Sequence, residues 1–158
     1  MPVGFNRVRQ VRVAERLRSN MLRDEALGLP VVETLTISDQ RDLCEASGDR
    51  LAAVAIHLVG EPGSVREAAS EVAGRLRRTD ILCCSRSTPQ LLVVLAPGVD
   101  PKAGWPMADR LFNLLANRPG GASRVGAAYR SAPSVASWTV ADLVAEAIEA
   151  ASSQPLAA

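Results

Sequence analysis

Two short apolar runs separated by a polar turn constrain the fold of this chain most. Residues 80–84 (DILCC) and 91–95 (LLVVL) are aliphatic and have the length of strands, whereas residues 85–89 (SRSTP) are turn formers with one Arg. The pattern predicts a β-hairpin. Because a lone hairpin is marginally stable in water, the remaining residues are expected to support it with further strands and helices.

The pattern outside the hairpin alternates helices and strands. A continuous apolar run at residues 51–59, broken only by His57, predicts a strand buried on both faces, and residues 123–129 predict a weaker strand. Further helices are predicted at residues 31–46, 64–78, 101–117 and 139–152. This order predicts an α+β fold of the ferredoxin-like, palm type, in which a mixed sheet is covered on one face by helices and follows an N-terminal amphipathic helix.

The chain divides into three parts along its length. Residues 1–23 form the amphipathic helix, residues 24–153 have the size of a single domain, and residues 154–158 are a tail expected to fray. Positive charge is concentrated at the N-terminus: residues 1–24 carry six Arg against two acids, a net charge of +4, while the whole chain carries +1. Nothing in this balance indicates nucleic-acid binding.

Apolar residues recur along the N-terminal helix at spacings of three and four: Val8, Val11, Ala14, Leu17 and Met21. Such a stripe either packs on its own domain or pairs with the same helix of a second subunit. The second interpretation predicts a partner or dimer interface at four of these residues: Val8, Val11, Leu17 and Met21. Contact of the basic face with anionic lipid or nucleic acid is a weaker third interpretation, since Phe5 is the helix's only aromatic residue.

Neither the cysteines nor the single histidine form a metal-binding pattern. Cys44, Cys83 and Cys84 lack ligand spacing, and they are expected to be buried thiols in a reducing compartment. No apolar run reaches the roughly 20 residues of a membrane span. The Arg-rich N-terminus does not resemble a secretory signal, so the chain is expected to be cytoplasmic.

Four stretches match sequence elements of one known family. Residues 24–30 (DEALGLP) are similar to a D-x-L-T-G-L-P opening, and residues 77–80 (RRTD) to an R-x-x-D inhibitory motif that binds the reaction product. Residues 91–100 (LLVVLAPGVD) are similar to the strand after the family signature, and residues 124–128 (RVGAA) to its closing strand. Together they resemble the GGDEF domain, the diguanylate cyclase family of bacterial cyclic di-GMP signalling, over nearly the whole chain. The resemblance implies the palm-type fold.

The elements that the family uses for catalysis are missing. Alignment from Pro97 places residues 88–92 (TPQLL) where G-G-D/E-E-F stands, so two glycines and two carboxylates are absent. Glycines let the backbone approach nucleotide phosphates, and carboxylates hold Mg²⁺. The metal-binding Asp of the first strand falls near His57 or Val59, and the guanine-reading segment is about ten residues shorter here. The comparison therefore predicts no enzyme activity, no metal and no cofactor.

Three hypotheses for the function follow. The favoured one is a catalytically inactive regulatory or scaffold module that binds a protein partner or a second copy, with Trp105 and Trp138 as further contact candidates. The second is a cyclic di-GMP receptor whose ligand residues are Arg77, Asp80 and Arg86. In the competing structural interpretation, Arg77 belongs to an Arg cluster at a helix end and Asp80 is the first residue of a strand, without a ligand-binding role. The third is an enzyme with a rebuilt nucleotide site.

Overall fold

A four-stranded antiparallel sheet forms the centre of the domain. The computed structural model describes residues 3–46, 50–59, 64–88, 90–98, 109–111, 113–115, 122–130 and 140–153. The strands stand in the order β2-β3-β1-β4, and their bounds are Leu51–Val59 (β1), Ile81–Cys84 (β2), Leu91–Pro97 (β3) and Ala122–Arg130 (β4). The helices are α1 (Val3–Asn20), α2 (Ile37–Ala46), α3 (Ser64–Ala73) and α4 (Val140–Ser152), and residues 109–111 and 113–115 are also helical. The predicted ferredoxin-like α+β fold is confirmed.

The two central strands, β1 and β3, are buried on both faces of the sheet. All of β3 and the first six residues of β1 are buried, and the two strands pair from Leu51 with Pro97 to His57 with Leu91. Because successive side chains on a strand point to opposite faces, complete burial requires apolar cover above and below the sheet.

Helices provide that cover on both faces, whereas the sequence analysis expected it on one. On one face, Ala53, Ala55 and Val93 join a core cluster with residues of α1, α2 and α4. On the other face, Val54 and Leu92 join a cluster with α3 and the helical residues Leu111 and Leu115. The two-sided cover does not depend on α1 alone, because α2 and α4 lie on one face and α3 on the other. Helix α1 packs onto the sheet beside α2 and α4.

Helix α1 contributes its apolar stripe to the core. Leu17 is 0% exposed and Met21 4%, and both belong to the cluster that includes β1 and β3. The prediction that these two residues form an interface with another subunit is therefore corrected, because their side chains are buried against the chain's own sheet. Val8, by contrast, is 52% exposed, and Val11 is half-buried.

A strap, residues 21–36, joins α1 to α2 and passes the hairpin on the way. It replaces the first turns of the helix predicted at residues 31–46. It contains a short 3-10 helix, Val32–Thr34, and α2 begins only at Ile37. The strap follows the edge of β2, where the Cys84 N–H donates to the Pro30 carbonyl at 2.9 Å and Val31 forms a parallel bridge with Cys84. This bridge gives the antiparallel sheet a parallel edge.

Several predicted features lie outside the described residues: Trp105, Trp138, Pro89, most of the helix predicted at 101–117 and the tail at 154–158. The three cysteines are buried free thiols. Within the described part of the chain, no helix has the length and apolar character needed to cross a membrane.

Candidate functional site

A carboxylate from the strap closes the hairpin tip, residues 85–90. Glu33 accepts hydrogen bonds from the backbone N–H groups of Arg86 at 2.8 Å and Ser87 at 3.1 Å. It also accepts from the hydroxyl groups of Ser85 at 2.6 Å and Ser87 at 2.7 Å. Four donors thus converge on one side chain. The tip has the donor arrangement of an anion-binding turn, and the anion comes from the chain itself.

These hydrogen bonds stabilise the ionised form of Glu33. Partial burial is the largest single influence and raises the pKa of the carboxyl group, but the bonds from Ser85, Arg86 and Ser87 together outweigh it and lower the pKa from 4.5 to about 2. At neutral pH the tip therefore holds a full negative charge.

The tip offers little to a metal ion or a close-lying phosphate. Residues 85–90 contain neither an acid nor a glycine. Gln90 adopts the left-handed backbone conformation, with φ of 64°, at a place where glycine would be unstrained. His57 is half-buried near the end of β1, opposite Leu91 and Arg124. Among the residues that the structure describes, no three His, Cys, Asp or Glu side chains cluster as metal ligands.

The predicted ligand residues Arg77 and Asp80 bind each other in an arrangement called the clasp below. The Asp80 side chain is 0% exposed, and its Oδ1 lies 2.8 Å from Nη2 of Arg77. Its Oδ2 accepts the backbone N–H of Arg77 at 2.8 Å, and Nε of Arg77 lies 3.2 and 3.3 Å from the two oxygens. Asp80 therefore closes the turn between α3 and β2, and its carboxylate presents no surface to a ligand.

Arg86 lies at the opposite end of β2 from the clasp. Five residue steps of extended chain from Asp80 to Ser85 correspond to about 17 Å, at roughly 3.3 Å per residue. The three residues predicted to bind a ligand together do not form one site, because β2 separates Arg86 from the other two. Arg86 is exposed at the tip and uses its backbone N–H to bind Glu33.

A groove of about 230 Å³ opens beside the tip, between the strap and α4. Its walls are mainly apolar, and Glu33, Gln40, Ser85 and Ser87 provide its polar lining; the apolar residues are Val32, Leu35, Val140, Ala141, Val144, Ala145 and Ile148. Gln40 ties the two sides together, since its Oε1 accepts the Val140 N–H at 3.1 Å and its Nε2 donates to the Leu35 carbonyl at 3.3 Å.

The sequence analysis missed both the groove and the role of Glu33. The Glu33–Ser85 bond joins residues 52 positions apart, and the Gln40–Val140 bond joins residues 100 positions apart. Periodicity and motif spacing describe only near neighbours in the chain. The available signal was indirect: a turn with two serines and no acid has donors that need an acceptor.

Comparison with known proteins gives matches to structures alone. No protein-family profile matches the chain, and no curated protein sequence does. The diguanylate cyclase SiaD of Pseudomonas aeruginosa, solved in complex with its activator SiaC, is 19% identical, with a TM-score of 0.62 over 93% of this chain. A sensory box/GGDEF family protein of Caulobacter crescentus is 20% identical, with a TM-score of 0.63 over 82% of this chain. A microbial GGDEF domain, solved for its interaction with cyclic di-GMP, is 10% identical, with a TM-score of 0.61 over 83%.

The extent of these matches differs. The chain spans 64% of the SiaD chain, but 95% of the Caulobacter chain and 90% of the microbial GGDEF domain. The matched fold agrees with the resemblance carried by residues 24–30, 77–80, 91–100 and 124–128. This chain is a GGDEF-like domain in its fold.

Proposed function

We propose that this chain is a catalytically inactive GGDEF-like regulatory or scaffold module that acts through protein–protein contacts. The observation that carries the proposal is the Glu33 carboxylate in the hairpin tip. A nucleotide phosphate at the tip would need the N–H groups of Arg86 and Ser87, which already donate to Glu33. It would also be repelled by the charge of Glu33. The tip has no carboxylate of its own to hold Mg²⁺ against such a phosphate.

The packing of the domain supports a role that requires the folded structure but no catalysis. Both core clusters are closed around the sheet, and the strap holds the tip through Glu33. The similar structure of SiaD holds a protein activator. Protein binding at a surface of this domain is proposed by analogy with it, and the surface itself has to be argued from this chain's own residues.

The geometry of the clasp disfavours the cyclic di-GMP receptor hypothesis. A receptor of the R-x-x-D kind needs Asp80 to face the ligand, yet its side chain is fully buried and bound to Arg77. Opening the clasp would expose a carboxylate only after breaking its hydrogen bonds. We therefore expect no binding of cyclic di-GMP through Arg77 and Asp80.

A GTP turnover assay tests the proposal. Purified chain is incubated with GTP and Mg²⁺ or Mn²⁺, nucleotides are separated by chromatography, and an active diguanylate cyclase serves as the positive control. We expect no cyclic di-GMP above the protein-free blank, either for the wild type or for Glu33→Ala. Cyclic di-GMP made by the wild type would refute the proposal. Product from Glu33→Ala alone would also refute it, because it would show a working site that Glu33 merely blocks.

A further inference from the structure

The groove beside the tip lies in acidic surroundings. Helix α4, which forms one of its sides, carries Asp142, Glu146 and Glu149 and no basic residue. All three acids are exposed, and Glu33 adds a further negative charge at the rim. The floor of the groove is nevertheless apolar. A segment that combines cationic side chains with an aliphatic one is the chemical complement of such a surface.

Residues 7–12 of α1 have that chemistry and lie outside the core. Among the described side chains of α1, burial begins at Val13, whereas Arg7, Arg9 and Arg12 are exposed and Val8 is 52% exposed. Helix α1 as a whole carries five Arg against one Glu. Engineered cavities of about 150 Å³ admit a molecule as large as benzene, so a groove of about 230 Å³ has room for a valine side chain.

Within the chain, arginines of α1 already pair with an acidic helix. Arg16 lies 2.5 Å from Asp42 of α2, and Arg9 lies 3.7 Å from Glu45 of the same helix. The same residue types therefore pair between α1 and α2 at exposed positions. This makes α1 a suitable ligand for a second acidic helix such as α4.

The chain cannot place its own α1 into its own groove. Gln10 of α1 lies beside Gly98, directly after the end of β3. The tip and the groove lie at the start of β3, and the seven residues of β3 span about 20 Å. The basic half of α1 and the acidic groove are thus at opposite ends of the domain, and contact between them requires two molecules.

We propose that the groove binds the first half of α1, residues 7–12, of a second copy of the chain, with Val8 in the apolar part and its neighbouring arginines against Glu33 and Glu149. This inference rests on the proposed function as an interaction module and names its partner. Because the two surfaces differ, the contact is either made twice in a reciprocal two-fold dimer or repeated head-to-tail in rings or open chains.

Two variants remove the two surfaces separately. Ala145→Trp fills the groove from an exposed position on α4, and Arg7→Glu/Arg12→Glu reverses the charge of α1. Ala73→Trp is the matched control, since Ala73 is exposed on α3, which covers the other face of the sheet. Glu149→Arg is a second variant on this side, which reverses a charge at an exposed position of α4 next to the lining residue Ile148. Circular dichroism melts verify that each variant folds.

Sedimentation velocity over a wide concentration range, at low and high salt, gives the decisive result. We expect the wild type and Ala73→Trp to form species larger than a monomer that dissociate at high salt, since salt screens exposed charges. Each groove variant and the α1 variant should be monomeric. A mixture of Ala145→Trp with Arg7→Glu/Arg12→Glu should form a 1:1 dimer and nothing larger, because each variant keeps one functional surface.

Other results would overturn this inference. A wild type that stays monomeric at every concentration excludes it, and so does association that persists in Ala145→Trp and Glu149→Arg. A monomeric chain that binds an unrelated basic amphipathic peptide would assign the groove to a different protein partner. None of these results depends on GTP turnover, so the inference and the proposed function can fail separately.

Discussion

Removing either residue of the Arg77–Asp80 clasp should destabilise the domain, and the two losses should be unequal. Arg77→Ala leaves the fully buried Asp80 carboxylate without its cation. Asp80→Ala leaves a guanidinium on a side chain that is 45% exposed and can regain water. A charge left unpaired in the interior costs more than one left at the surface. We therefore expect Arg77→Ala to be the more damaging substitution.

The magnitudes follow from the contacts of each group. Asp80→Ala loses the charged hydrogen bond that the carboxylate accepts from the backbone N–H of Arg77 at 2.8 Å. A bond of this kind contributes about 1.5–3 kcal/mol to stability. The ion pair adds less than about 1 kcal/mol because the guanidinium is half exposed. Asp80→Ala should thus lower the free energy of unfolding by about 2 kcal/mol. Arg77→Ala, which breaks the pair by removing the cation, should lower the free energy of unfolding by about 3–5 kcal/mol. At roughly 3 °C per kcal/mol, Tm should fall by about 6 °C for Asp80→Ala and by about 12 °C for Arg77→Ala.

Thermal denaturation followed by circular dichroism measures these shifts. Arg78→Ala is the matched control, because Arg78 is next in sequence and its ion pair, with Glu15 at 3.5 Å, is exposed. Its Tm should change little. The double variant Arg77→Ala/Asp80→Ala should be more stable than Arg77→Ala, since it removes the stranded carboxylate. Equal Tm values for Arg77→Ala and Arg78→Ala would refute the structural role of the clasp.

Three further predictions concern the ligand, the tip and α1. Isothermal calorimetry with cyclic di-GMP should give no heat for the wild type, and heat that Arg77→Ala abolishes would restore the receptor hypothesis. Because the folded-state pKa of Glu33 lies below its ordinary value, its contribution is complete above pH 4.5 and is lost as pH falls toward about 2. Glu33→Gln should therefore lower stability at pH 7 by about 1 kcal/mol after allowing for solvent screening, and a constant difference from pH 7 to pH 2 would contradict this. Leu17→Ala should lower the free energy of unfolding, measured in urea, by about 3 kcal/mol, and Val8→Ala by less than about 0.5 kcal/mol. Equal losses would contradict the placement of Leu17 inside the core and Val8 outside it.

Most of the fold could be predicted from the local pattern of apolar and polar residues in the sequence. The continuous apolar run predicted β1 with the bounds found, Leu51–Val59, and the hairpin strands were displaced by at most two residues. The strap was not predicted, because its shape depends on bonds to other elements, such as that from the Leu22 N–H to Thr34 Oγ1 at 3.0 Å. Residues 31–36 (VVETLT) are rich in β-branched residues, which are weak helix formers, so these tertiary contacts decide their conformation.

The candidate site was harder to predict, for two different reasons. Arg77 and Asp80 were recognised as a motif, but Arg77 was assigned to a helix end and Asp80 to the start of a strand. Their mutual pairing depends on the turn between α3 and β2, which the sequence analysis did not predict. Glu33 gave no comparable signal, because its partners are more than 50 positions away.

The bond between Glu33 and the tip shows how a hairpin without glycine or carboxylate stays ordered. Two backbone N–H groups and two hydroxyl groups point to one place at the tip, and donors left without acceptors would destabilise the turn. A bound phosphate or an internal carboxylate would satisfy them equally. Because Glu33 is held by the strap, which is itself bonded to the end of α1 and to β2, the chain supplies the acceptor permanently. The tip thus becomes part of the scaffold, and binding by this domain is expected at its helices and the groove.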